Sequence, residues 1–143
     1  MKTSAKKLTK PCKTASFKEY ITYYMQRKGW SQATLASFAR LNQSTVNKVI
    51  NGNNYRTKFD IFICLFLALQ LTLDESKDLL SRAERAFSPA SELHNAYKKL
   101  IAYYVYKEFD SALPSSERLD WADRYLIDHG FDPLPNNYLK KEK

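Results

Sequence analysis

At 143 residues the chain has room for one ordinary domain, or for two small helical units packed together. Its 44% apolar and 27% charged residues exclude a disordered chain, and only 3 Gly and 5 Pro leave little material for hairpins, so helices are expected. The net charge of +8 is divided unevenly: residues 1–60 carry 12 Lys/Arg against Glu19 and Asp60 (+10), while residues 61–143 carry 11 against 13 acids (−2). Such a split predicts a face for a polyanion at one end and a near-neutral body at the other.

Residues 1–15, with Lys2, Lys6, Lys7, Lys10 and Lys13 among small polar spacers, are expected to form a mobile basic arm. No apolar stretch or small-residue cleavage site follows, so the arm does not read as a signal peptide. A first helix is predicted from about Ser16, with Phe17, Tyr20, Ile21, Tyr24 and Met25 at helical spacing, ending near Gly29. Ser31 is placed to cap a second helix and Asn42 a third, with Trp30/Leu35 and Leu41/Val46 as their staple pairs. The two starts lie so close that a tight turn is forced around Arg40–Asn42. Gly52 is the predicted end of the third helix.

Thr57 with Asp60 reads as a capping box for a fourth helix, whose body Phe59–Leu69 is apolar nearly all round and must be enclosed. It falls short of the roughly 18–20 residues needed to cross a membrane. Thr72 with Glu75 opens a fifth helix to about Phe87. Ser88-Pro89 starts a sixth, to about Phe109, with Leu93, Ala96, Tyr97, Leu100, Ile101, Tyr104 and Val105 on its inner stripe. Pro114-Ser115 starts a seventh that carries Leu119, Ala122, Tyr125 and Leu126 and stops at Gly130. The segment after Pro133 is expected to be loose.

The run from Gln32 to Asn51 holds the functional pattern. Ala36 is small where two helices would cross. Leu35, Ala39, Leu41, Val46, Val49 and Ile50 are apolar where the pair would meet a core, and Gln43, Ser44, Thr45, Asn47 and Lys48 are polar where it would face outward. This run resembles the helix-turn-helix of the Cro/cI-type (lambda-repressor-like, XRE-like) family. Val49-Ile50-Asn51-Gly52, then a basic loop and an apolar fourth helix, continues the resemblance. The family prefers glycine where Arg40 stands, because positive φ is common there. An arginine either costs about 1 kcal/mol or marks a slightly different turn.

The resemblance implies an all-α fold: a five-helix lambda-repressor-like DNA-binding domain over residues 16–87, followed by a helical extension over 88–143. It also implies roles. Gln32 would bond a phosphate at a helix N-terminus. Gln43, Ser44, Thr45, Asn47 and Lys48 would face the major groove, with the Gln43 and Asn47 amides able to read adenine. Arg56 and Lys58 would contact backbone. The expected function is a cytoplasmic transcriptional regulator from a phage or mobile element, a homodimeric repressor on double-stranded DNA. The alternative is an antitoxin or anti-CRISPR protein that binds and inhibits a protein or ribonucleoprotein partner.

Nothing in the sequence reads as catalytic. His94 and His129 are isolated, so neither a metal site nor a cofactor is expected, and Glu108, Asp110, Asp120, Asp123 and Asp128 read as solvated helix faces. Cys64 reads as a buried thiol and Cys12 as part of the polar arm, without disulfide spacing. Tyr103, Tyr104 and Tyr106 crowd four consecutive positions, so one helix face cannot bury them all. Either they mark an interface or the seventh helix covers them.

Overall fold

Local capping chemistry decides where most of the chain turns helical. A computed structural model describes residues 8–52 and 56–137, and among these the chain is all-helical with no strand. Helix α1 (Phe17–Lys28) opens on a capping box, in which the Ser16 hydroxyl accepts the Glu19 N–H at 3.1 Å and the Glu19 carboxylate accepts the Ser16 N–H at 3.0 Å. It closes on Gly29 at φ 75°, where a Cβ would be strained. Helix α2 (Gln32–Ala39) is capped by Ser31, whose side chain accepts the Thr34 N–H, and α3 (Gln43–Asn51) follows a three-residue turn. Helix α4 spans Phe59–Leu69, and α5 (Leu73–Arg82) opens on the Thr72–Glu75 capping box. Helix α6 spans Glu92–Tyr104, and α7 spans Asp120–Asp128.

Five expected boundaries move. Lys58, not Thr57, precedes α4, with no side-chain cap, and Asp60 sits in its first turn where the helix dipole favours an acid. Helix α5 stops at Arg82 because Glu84 turns left-handed (φ 60°), so residues 83–87 are not helical. Helix α6 starts after Ser91, which accepts the His94 N–H, and Pro89 lies in the turn before it. Its end comes at Tyr104, where the Gln70 side chain donates to the carbonyls of Tyr104 and Lys107 at 3.2 and 2.8 Å. Ser115–Glu117 forms only a 3-10 turn, so α7 begins at Asp120.

Helix α4 is the centre. Phe62 through Leu69 are all buried, and α4 packs against α1, α2 and α6. Leu119, Ala122 and Leu126 enter the same apolar cluster, so α7 and α2 share one core. At about 25 cal/mol per Å² of buried apolar surface, this enclosure is the main term favouring the fold. No helix among the described residues is long and apolar enough to cross a membrane.

Both chain ends are more tied than expected where they are described. Pro11 O accepts the Tyr20 hydroxyl at 2.9 Å, and Arg82 donates to the carbonyls of Lys13 and Ala15. Lys2, Lys6 and Lys7 lie outside the described residues. The segment after Pro133 is not loose up to Asn137. Leu134 is 3% exposed and its N–H donates to Asp123, while Asn137 donates its N–H to Arg40 O at 2.8 Å and accepts the Asn42 N–H at 3.0 Å. One buried leucine and one amide hold this strap, too little for any periodic pattern to announce.

Candidate nucleic-acid interface

Helix α3 separates its residues by polarity. Val46, Val49 and Ile50 are buried, whereas Gln43, Ser44, Asn47 and Lys48 are exposed and Thr45 is half-buried. The outward side is therefore a row of hydrogen-bonding groups held rigidly by the inward side. Asn47 donates one amide N–H to the Gln32 carbonyl oxygen at 3.3 Å, which joins α3 to the first residue of α2. Its second N–H and its Oδ1 are the two groups a planar amide needs to pair with an adenine edge.

A groove of about 400 Å³ runs between the C-terminal half of α3 and the start of α4. Thr45, Lys48, Arg56 and Lys58 line it together with the apolar Val49 and Ile61. The fold thus brings four of the expected contact residues into one concavity. Gln32, Gln43, Ser44 and Asn47 lie outside its lining, on the face of the α2–α3 pair. Arg85 donates to Thr57 O at 2.7 Å and so pins the segment that carries Arg56 and Lys58.

The stretch of chain that builds this face is basic. Residues 20–59 contain no Asp or Glu but six Lys/Arg: Arg27, Lys28, Arg40, Lys48, Arg56 and Lys58. Arg27 and Arg40 are held in ion pairs among the described residues. Arg27 forms a two-point bond with Glu75, and Arg40 pairs with α7. Burial pushes the Lys28 ammonium below its ordinary value, with Arg118 and Arg27 adding repulsion. Lys48, Arg56 and Lys58 are exposed at the groove.

Arg40 is the residue whose role sequence reasoning missed. It sits at φ 59° in the turn between α2 and α3, with the Leu41 N–H closing onto Ala36 O at 2.9 Å, so the turn has the left-handed geometry expected of glycine. Its side chain is fully buried. One Nη donates to Asp120 and Asp123 at 2.9 and 2.7 Å, and the other to Asp123 at 2.9 Å. Burial works against the charge, but the bonds and attraction of Asp123 outweigh it and hold the guanidinium protonated. Asp123 is therefore largely withdrawn from solvent, whereas Asp120 stays exposed while it pairs with Arg40. The available signal was an arginine where glycine fits, coupled to two acids three residues apart on a later helix.

The tyrosines divide. Tyr104 is core, 1% exposed, with its hydroxyl donating to Arg118 O, so it belongs to no surface. Tyr103 and Tyr106 are 58% and 83% exposed. His94 is half-buried: its Nδ1 accepts the Ser88 N–H at 2.8 Å and its ring stacks on Phe59. The described residues contain no group of three or more His, Cys, Asp or Glu able to hold a metal ion. No family model matches the chain, and neither a curated protein nor a solved structure matches it.

Proposed function

We propose that this chain is a sequence-specific regulator of transcription, a Cro/cI-type helix-turn-helix protein that represses by occupying double-stranded DNA as a dimer. The observation that carries this reading is the two-sided α3, with Gln43, Ser44, Asn47 and Lys48 exposed over a buried Val46, Val49 and Ile50, beside a groove lined by three cations. In the five-helix arrangement proposed here, α3 enters the major groove. Gln43 and Asn47 present amides to base edges, and Lys48, Arg56 and Lys58 meet phosphates. The Gln32–Asn47 bond fixes the reading amide before DNA arrives, which lowers the entropy lost on binding.

No catalytic step, metal or cofactor enters the reading. A phage or mobile-element source and a cytoplasmic site are part of the proposal. A second reading, a protein that binds and inhibits a nuclease or toxin, is favoured by one observation, the exposure of Tyr103 and Tyr106.

A comparison of variants tests the first reading. Gln43→Ala and Asn47→Ala should lose preference for one base position each, about 1–3 kcal/mol, while keeping nonspecific affinity. Lys58→Ala should weaken all sequences equally. Uniform losses from all three would refute base reading by α3. Inhibition of a partner that survives Gln43→Ala but not Tyr103→Ala would establish the second reading instead.

A further inference from the structure

Helix α7 presents two unlike faces. Ala122 and Leu126 are buried in the core. On the opposite side of the helix, one turn apart, Arg124 and Asp128 are exposed. Neither joins an ion pair among the described residues. Alongside them runs a row of rings. Tyr103 of α6 stacks on Trp121 at 5.0 Å, Trp121 meets Tyr125 at 6.4 Å, and Tyr125 stacks on His129 at 4.2 Å. Tyr103 remains 58% exposed on top of this row.

We propose that this face is where a second copy of the chain docks, with α7 lying antiparallel on its mate about a two-fold axis midway between Arg124 and Asp128. A two-fold contact must be complementary to itself. One cation and one anion four residues apart at the centre of the face satisfy that condition in a single orientation. When α7 runs antiparallel, Arg124 of each copy meets Asp128 of the other; when parallel, like charges meet. The adjacent rings supply the apolar area and rigidity typical of an interface centre. Around that pair, exposed Asp120 is bound to Arg40 and the Lys107 ammonium sits over the Tyr103 and Trp121 rings, so charges of both signs surround the contact and a strongly basic or acidic foreign partner is disfavoured.

The assignment deepens the regulator reading and rests on it for its purpose. Helix α7 also supplies Asp120 and Asp123 to Arg40 at the α2–α3 turn. A dimer built on α7 therefore sets the separation of the two α3 helices through one rigid helix. Each copy reads half a site, and the site is incomplete without the other.

The test is sedimentation equilibrium on the full chain without DNA, with helicity checked for every variant. Arg124→Asp and Asp128→Arg should each raise the dimer dissociation constant at least about tenfold, because like charges then face each other twice. Mixing the two variants should restore a one-to-one dimer, since every cross-pair is then opposite in sign, and the double swap in one chain should dimerise like the wild type. A wild-type chain that stays monomeric, or a dimer indifferent to both swaps, overturns the proposal. A charge-dependent dimer with no DNA preference overturns the regulator reading and leaves this interface standing. A monomer that selects a half-site does the reverse.

Discussion

Arg40 shows how one residue can oppose a local rule for a tertiary reason. Its left-handed backbone costs about 1 kcal/mol relative to glycine, and two carboxylates on α7 offset that cost. Arg40→Ala should destabilise the chain by about 3 kcal/mol in urea unfolding, because it leaves the largely buried Asp123 without its cation. Arg40→Gly should be about 1 kcal/mol less harmful than Arg40→Ala, since it keeps the turn geometry. Equal losses would mean the turn stores no strain. His94 gives a pH prediction. Burial, then the charges of Lys98 and Arg85, push its pKa below the ordinary 6.5. The folded state accordingly resists protonation, in keeping with Nδ1 accepting the Ser88 N–H. A lowered folded pKa means that the unfolded chain binds the proton first, so this stability is present above 6.5 and is lost as pH falls through the folded value. Unfolding free energy measured from about pH 8 to about pH 5 should fall more steeply for the wild type than for His94→Asn. Parallel curves would contradict it.

At the scale of elements, starts encoded locally were the most legible. The Ser31 and Thr72 caps and the apolar α4 follow from a few neighbouring side chains, so the sequence exposes them, whereas Asn42 precedes α3 without a side-chain cap bond and the Ser16 capping box was not anticipated. Ends set by distant partners were not. Gln70 of the α4 end caps α6, and no pattern within residues 88–109 contains that fact. The polar side of α3 was legible from the spacing of Val46, Val49 and Ile50, whereas the groove required the fold, because Lys48 and Lys58 come from different elements. The strap at residues 131–137 escaped notice because a single leucine has no period. Its weight can be measured. Leu134→Ala should cost about 2–3 kcal/mol of stability. Asn137→Ala should cost about 1 kcal/mol, since it removes the acceptor for the Asn42 N–H that precedes α3. Unchanged unfolding midpoints in both would show that the strap adds nothing.

At the scale of the molecule, the +10 and −2 halves are not two independent bodies. Helix α7, from the acidic half, neutralises Arg40 within the basic half, while Lys48, Arg56 and Lys58 line the groove at the surface. Phosphate contacts release counterions, so log affinity for duplex DNA should fall linearly with log salt, and each of Lys48→Ala, Arg56→Ala and Lys58→Ala should reduce the slope by about 1. A slope untouched by all three would place the phosphate contacts elsewhere. The central claim, that α3 reads base sequence, is tested most directly by selecting bound sites from a random duplex pool under nonspecific competitor. The account predicts a palindromic site with half-sites about one helical turn apart, roughly 34 Å, whose enrichment disappears with Gln43→Ala and Asn47→Ala. A pool that stays random, with binding that vanishes by about 0.2 M salt whatever the sequence, would contradict it.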